Sequence, residues 1–449
     1  MSSAIRRLMM SSSEGINTSN YLTIVSESNN FSVSLSKTAC EYCIDGDGQW
    51  IYLPANTATK KINYGQRLSF KANAIPDYSD GIGTFKIYSY CRLEGNCMSM
   101  LFGDNAAGQV SLSGKNYAFK YLFEDCDILG VSKDFLPATT LSQECYYRMF
   151  AGSSLEEKVP SLPAASATYM CYYEMFADCN YLTVAPKLPA LYLSDQCYYG
   201  MFRRCDWLIT APELPATRMS ASCYAHMFEN CSSLVSPPAL PALELNSNCY
   251  EYMFYGCSSL TSAPILPATD LIYCNGCYNR MFYNCKGLKY IKALFKDIMS
   301  SSIYTMYWVY GVSNSGTFVC NKDLKGQTIQ YGAHSIPEGW AVIYDGDDVM
   351  DLELPLTIEY GTQTRELFDS LNAYISKNGT TLINVWKEVN VNSGDITVKY
   401  NGRSYKIVKM QQFPSPSNTA VQYSIRLHID SLSYFDIKTN TYEMTRYFD

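Results

Sequence analysis

Apolar and polar positions alternate in this chain with two different periods, and the two follow one another in a fixed order. In residues 171–179, Cys171, Met175 and Cys179 stand at i, i+4 and i+8, with Tyr172 and Phe176 one step round. Apolar residues at that spacing share one face of a helix, so the pattern predicts a short helix of about two turns. Ser194 and Asp195, ahead of the equivalent Cys197, are residue types that cap a helix start. After Cys179 the chain reads Leu182, Ala185-Pro186, Leu188-Pro189, where the prolines exclude further helix and suit a short extended segment. The predicted unit is helix, turn, brief strand, turn.

That unit recurs. Cys145, Cys171, Cys197, Cys223 and Cys249 follow at intervals of 26, with Cys277 after 28. Met-Phe returns in register at Met149-Phe150, Met175-Phe176, Met201-Phe202, Met227-Phe228, Met253-Phe254 and Met281-Phe282, and Leu-Pro-Ala starts at Leu136, Leu162, Leu188, Leu214, Leu240 and Leu266. Self-similarity at a fixed period predicts a solenoid. One unit buries about four large apolar side chains at roughly 1.5–3 kcal/mol each, against about 1–2 kcal/mol of backbone entropy per ordered residue. A lone unit therefore cannot fold without neighbours. Cys97–Phe102 and Ala118–Cys126 fit the template loosely, which extends the expected array to about eight units between Cys97 and roughly Leu288.

The flanks have other periods. Residues 21–96 read as short strands at Leu22–Val25, Phe31–Leu35, Arg67–Ala72 and Thr84–Tyr90, a β-rich domain that caps the first repeat after an N-terminal arm of residues 1–20. Residues 291–345, with Tyr307, Trp308, Phe318 and Trp340, are expected to close the other end. Asp345–Asp348 reads as a linker. In residues 352–449 an α+β domain is expected, with an alternating strand over Leu352–Tyr360, a helix over about Thr364–Lys377 ending at Asn378-Gly379, a hairpin turn at Asn401-Gly402, and a strand over Tyr423–Ile429. The expected fold class is an α+β repeat protein: a leucine-rich-repeat-like solenoid over residues 97–290 with these two flanking domains.

The repeat Cys-Tyr-x-x-Met-Phe-x-x-Cys-x-x-Leu-x-x-Ala-Pro-x-Leu-Pro-Ala-Thr resembles the BspA-type leucine-rich repeats of gut-bacterial surface proteins and of virion proteins of the tailed phages that infect those bacteria. The flanks resemble the same group at Ile82–Phe85 with Gly95–Cys97, and at Gly316–Phe318 with Ile336–Trp340. Bacterial members usually carry an export signal. Here Arg6 and Arg7 are followed only by Leu8, Met9 and Met10, far short of a signal-peptide core. The resemblance therefore implies a phage virion protein, made in the host cytoplasm, whose flanking domains contact other virion proteins. A bacterial cell-surface adhesin is the alternative, and a homo-oligomer is compatible with either.

Composition narrows the partners. Charged residues make up only 17% of the 449 residues, while there are 39 tyrosines and 19 phenylalanines, so aromatic and small polar groups replace much of the usual charged surface. A formal net charge of -7 supplies no large cationic excess to displace counterions from nucleic-acid phosphates. No apolar run approaches the roughly 20 residues that span a bilayer.

Few residues suggest chemistry. His226, His334 and His428 lie in three distant contexts and read as surface residues. No Ser-His-Asp or Cys-His signature is present, and the paired carboxylates of a glycan-degrading enzyme are not evident. Cys40-x-x-Cys43 and Cys274-x-x-Cys277 have metal-like or redox-like spacing but lack a second pair, and they read as packing thiols or coincidence. The repeat cysteines read as core thiols: on a helix, Cys171 and Cys179 would lie about 12 Å apart, too far to bond. Asp45-Gly46-Asp47-Gly48 reads as a turn. No catalytic residue, metal ligand or cofactor is expected. The candidate contact surface comes from comparing units: Tyr181 and Trp207 share a register on successive repeats, and the variable mid-unit positions include Tyr173, Tyr199 and Tyr252. Aromatics repeated at one register suit binding to a host-surface protein or glycan.

Overall fold

The computed structural model describes residues 15–296, except 157 and 273, and residues 302–345, and beyond these the backbone of strands between Thr357 and Asn440. Two compact units divide the chain: Met1–Asn314 with Thr328–Gly339, and Ser315–Gln327 with Trp340–Asp449.

The first unit begins with β1 (Leu22–Ser26), β2 (Ser34–Leu35), β3 (Cys40–Ile44), β4 (Ile51–Leu53), β5 (Arg67–Lys71), β6 (Phe85–Lys86), β7 (Cys91–Gly95) and β8 (Ile128–Val131). Six of these form one sheet in the order β4-β3-β5-β1-β7-β8, while β2 pairs with β6. β1 is buried along its whole length because it is central. The expected strand over Phe31–Leu35 keeps its alternating burial but joins a ladder only at Ser34–Leu35. β7 and β8 pair in parallel, which carries the sheet from the N-terminal segment into the first coil of the repeat.

Residues from Cys145 onward form a solenoid of about six coils, most of its regular structure extended, and the expected helices are absent from it. Where the sequence predicts a helix, each coil is instead a run of overlapping tight turns. In the coil of Cys171 the N–H groups of Cys171, Tyr173, Met175, Ala177 and Cys179 each donate to the carbonyl three residues back. The intervening N–H groups of Met170, Tyr172, Glu174, Phe176 and Asp178 point out of the coil, to the carbonyls of Asp195, Cys197, Tyr199, Met201 and Arg203. Odd positions close turns and even positions tie one coil to the next. Met170, Glu174 and Asp178 have φ of 50°, 46° and 63°, each the third residue of a turn, where a type II turn requires positive φ. A helix bonds to itself alone; this geometry gives every second N–H to a neighbour, and the cooperative gain lies between repeats. The same pattern continues at Tyr117–Asp125, which donates to Gln143–Ala151, and at Gly276–Asn284, which donates to Ile303–Tyr310. Cys97–Phe102, expected as a degenerate repeat, contains instead a short helix at Ser99–Phe102.

The inward residues stack. Phe123, Phe150, Phe176, Phe202, Phe228, Phe254 and Phe282 form one column with ring centroids 5.7–5.8 Å apart. Tyr146, Tyr172, Tyr198, Tyr224, Tyr250 and Tyr278 form a second, all essentially buried. Both columns have terminal plates. Phe85 of β6 stacks on Phe123 at 5.2 Å, and at the other end Trp308 meets Tyr278, Phe282 and Phe295, its indole N–H donating to the Ser335 carbonyl at 2.8 Å.

The rest of each coil is extended, with Pro186, Leu188 and Ala190 buried and Lys187 and Pro189 exposed. Prolines lack the N–H that a continuous ladder needs, so parallel pairing is confined to short pieces such as Ser166–Ala167 with Tyr192–Leu193, and bridges such as Thr210 with Ser236 and Arg218 with Glu244.

In the second unit Thr317–Cys320 pairs in parallel with Ala341–Tyr344, and Phe318 and Trp340 are buried. Thr357–Tyr360, Gln363–Glu366, Ile396–Tyr400, Arg403–Phe413, Gln422–Ile429 and Ser433–Asn440 form an antiparallel sheet. Of the strand expected over Leu352–Tyr360, Thr357–Tyr360 is extended and residues 352–356 lie outside the described residues; Tyr423–Ile429 falls within the strand Gln422–Ile429. Asn401-Gly402 itself lies outside the described residues, but Tyr400 pairs with Arg403 across it. The helix expected from Thr364 is not found where the backbone is described: Gln363–Glu366 is a strand paired with Thr357–Tyr360. Residues 361 and 362 between them lie outside the described residues. Ile375–Ser376 is likewise extended. The linker residues 346–348 lie outside the described residues.

Candidate functional site

Tyr181 and Trp207 lie on successive coils just after the turn runs, and they meet edge to face with ring centroids 5.5 Å apart and planes at 78°. They are 51% and 57% exposed. The turn run ends at Cys179 and Cys205, whose buried thiols donate to the carbonyls of Phe150 and Phe176, each at 3.1 Å; Asn180 and Asp206 then carry the chain to the surface. Val184 and Ile209 on the same two coils, and Val235 on the next, are also about half exposed, and the Val235 N–H donates to the Ile209 carbonyl at 3.0 Å. Together they make an apolar stripe running across the coils. Tyr181 also borders a cleft of about 350 Å³ lined by Tyr90, Leu129, Ser154 and Glu156. Two tyrosines, a serine and the exposed Glu156 give this cleft both hydrogen-bonding and apolar groups, a mixture suited to sugar rings or amphipathic side chains.

Tyr173, Tyr199 and Tyr252 belong to a different face. They project from the turn runs in a continuous stack: Tyr147 lies flat on Tyr173 and Tyr173 on Tyr199 at 4.6 Å, Tyr199 meets His226 at 4.8 Å with the planes tilted by 37°, and His226 lies flat on Tyr252 at 4.5 Å. The rings pack against one another, and each of the three tyrosines is only partly exposed. Burial pushes the Tyr199 hydroxyl above its usual value, and the Tyr147 and Tyr173 hydroxyls also go up for that reason. His226, expected as a surface residue, is instead intercalated, with Nδ1 2.7 Å from Glu229 Oε2. His334 accepts the Tyr307 N–H at Nδ1, at 2.9 Å. The side chain of His428 lies outside the described residues.

Beside this stack runs a chain of alternating charge that apolar periodicity does not reveal. Lys120 and Glu144, both nearly buried, pair at 2.7 Å. Arg148 bridges Glu124, at 2.6 Å, and Glu174, and Arg203 reaches Glu174 from the other side at 3.2 Å. Its signal in the sequence is opposite charges one repeat apart. Each carboxylate here is matched to a cation across a coil boundary, which fixes register between coils.

Among the described residues every cysteine is buried and none is in a disulfide. A separation of about 12 Å between Cys171 and Cys179 presupposes a helix, which the coil does not form; in the turn geometry, the second thiol of each coil is a donor to a phenylalanine carbonyl, as at Cys231, Cys257 and Cys285. Ser153 stands in this position and donates to Phe123 in the same way. Cys40 and Cys43 sit on β3, with the Cys43 thiol 3.1 Å from Asp47 Oδ1. Asp45–Gly48 is a turn in which Asp47 also accepts the Gln49 N–H. Among the described residues no helix is long and apolar enough to cross a membrane.

No family model matches the chain, and no curated protein or solved structure does so either.

Proposed function

We propose that the solenoid is a non-catalytic scaffold that presents the Tyr181–Trp207 stripe to a glycan or protein on a bacterial surface, as part of a tail or head appendage of a tailed phage. The observation that carries the binding face is the pair itself: two large aromatics, each about half exposed, on adjacent coils of a backbone tied together by inter-coil hydrogen bonds. Large exposed apolar groups in a row are uncommon on surfaces without a partner, and rigid aromatics lose little entropy on binding. The kinship with BspA-type leucine-rich repeats, the assignment to a virion and the attachment of the flanking segments to other virion proteins belong to this proposal, motivated by the repeat motif.

The test has two arms. Retention of labelled protein on intact gut-bacterial cells should fall at least tenfold for Trp207→Ala with Tyr181→Ala, about 1.4 kcal/mol, with unchanged thermal unfolding. Equal retention disposes of the stripe as the contact. Antibody against the chain should label intact particles at a tail or head appendage, and particles without label dispose of the virion assignment.

A further inference from the structure

Cys274 and Cys277 are the first and fourth residues of one tight turn. The Cys277 N–H donates to the Cys274 carbonyl at 2.9 Å, and Gly276, with φ of 68°, takes the third position. A β-turn holds its end Cα atoms within about 7 Å, which overlaps the roughly 4.4–6.8 Å that disulfides span. The two sulfurs face one another at 2.7 Å, so the turn brings both thiols together with their Cα atoms already at a spacing a disulfide can bridge.

The repeat shows how unusual this is. The position three before the first cysteine of each coil holds Ser142, Thr168, Ser194, Ser220 and Asn246. In three of these coils its hydroxyl donates to the backbone of the preceding coil, Ser142 to Lys115 at 2.7 Å, Thr168 to Ser142 at 2.8 Å and Ser220 to Leu193 at 2.7 Å. Cys274 replaces that hydroxyl in the one interval of 28 residues, and its thiol turns back into its own turn, to the Leu271 carbonyl at 3.2 Å and to Cys277. A thiol thus stands where three of the other coils use an inter-coil donor, beside the cysteine that recurs from Cys145 to Cys277.

We propose that Cys274 and Cys277 are a redox pair that closes to an intramolecular disulfide by exchange with a small-molecule disulfide. One cysteine, as thiolate, attacks a sulfur of the small disulfide and releases one small thiolate. The other cysteine, as thiolate, then attacks the protein sulfur of that mixed disulfide and releases the second. The two protein thiols lose two electrons and two protons, which end on two small-molecule thiols. Both side chains are buried, so exchange passes through local opening of this coil, and it quickens as pH rises because the thiolate is the attacking form.

The experiment incubates the full chain with oxidised glutathione at mildly alkaline pH, quenches with acid, alkylates in denaturant without reductant, and maps the cysteines by mass spectrometry. The expected result is that Cys274 and Cys277 escape alkylation and appear on one peptide lighter by two hydrogens, while the other sixteen of the eighteen cysteines are alkylated. Prior reduction should restore alkylation at both. Cys274→Ser, which installs the residue other coils use, should keep the fold by circular dichroism and leave Cys277 either alkylated or glutathionylated. Complete alkylation of both cysteines in the unsubstituted chain, a stable glutathione adduct on either one, or a bond from either to Cys249 overturns the proposal.

Discussion

Cys205 Sγ donates a hydrogen bond to the carbonyl of Phe176, one coil back, at 3.1 Å. The thiol is therefore a connector between repeats as well as a core group. Replacing Cys205 with Ala removes the donor and opens a small void, at a cost of about 1–3 kcal/mol. Cys205→Ser installs the residue that Ser153 already supplies at this position two coils earlier. It keeps the donor and is expected to retain more stability than the alanine variant. Denaturant unfolding of the two variants side by side checks the order; serine at or below alanine would count against the bond.

Gly256 has φ of 73°, and a Cβ there would fall on Oδ1 of Asn230 in the preceding coil. Gly108 has φ of 76° with nothing within 4 Å of the same added atom. Alanine at 108 should cost about 1 kcal/mol, for backbone strain alone, and alanine at 256 should cost clearly more. Adding Asn230→Gly to Gly256→Ala should recover the difference, measurable as a coupling energy in a double-mutant cycle.

Phe202 is fully buried between Phe176 and Phe228. Truncation to alanine interrupts the column in the middle and should cost about 3–5 kcal/mol. Trp207→Ala on the same coil, at 57% exposure, should change stability by less than about 0.5 kcal/mol. Thermal and chemical unfolding separate the two.

Burial lifts the thiols of Cys40, Cys145, Cys179 and Cys223 from 9.0 to about 12. A group whose folded value is raised contributes stability that is fully present below its unfolded value and is lost as pH rises through the folded one. The fold should therefore hold its stability up to about pH 9 and lose it steeply towards about pH 12. Native protein should react slowly with a thiol reagent at about pH 8, and denatured protein at once. Rapid labelling of these four thiols in the native state would contradict their burial.

Much of this architecture is legible in the sequence, and the part that is not has a definite cause. Phe150, Phe176 and Phe202 recur at one register, and a column follows from any solenoid. The inward set Cys171, Tyr172, Met175, Phe176, Cys179 fits a period of 3.6 and a period of four equally well over nine residues, so helix and turn run cannot be told apart by apolar spacing. What separates them is the third position of the last turn in each run: Asp125, Gly152, Asp178, Asn230, Gly256 and Asn284 have positive φ there, with Arg204 in the one coil that departs from these types, and Asp, Asn and Gly tolerate it best. Gly200, in the middle of the expected helix, is the other sign. At the candidate surface, the neighbourhood of Tyr181 and Trp207 follows from their shared register. That Tyr199 meets His226 does not, because the aromatic shifts by one position between those coils.

Because the N–H groups that join coils within the turn runs all point the same way along the axis, each coil offers its successor the same face there that its predecessor offered it. Phe85 and Trp308 close the columns at their ends, far from the middle coils. Coil number is thus free of the end pieces: an unequal crossover between two repeats in the coding DNA would add or remove one whole coil in frame and leave both ends intact. Each such event would change the reach of the molecule by about the 4.7–4.9 Å that separates hydrogen-bonded extended neighbours, and would duplicate or delete one rung of its exposed side chains. Lineages of this protein can therefore vary length and surface by copying, without first inventing a new fold.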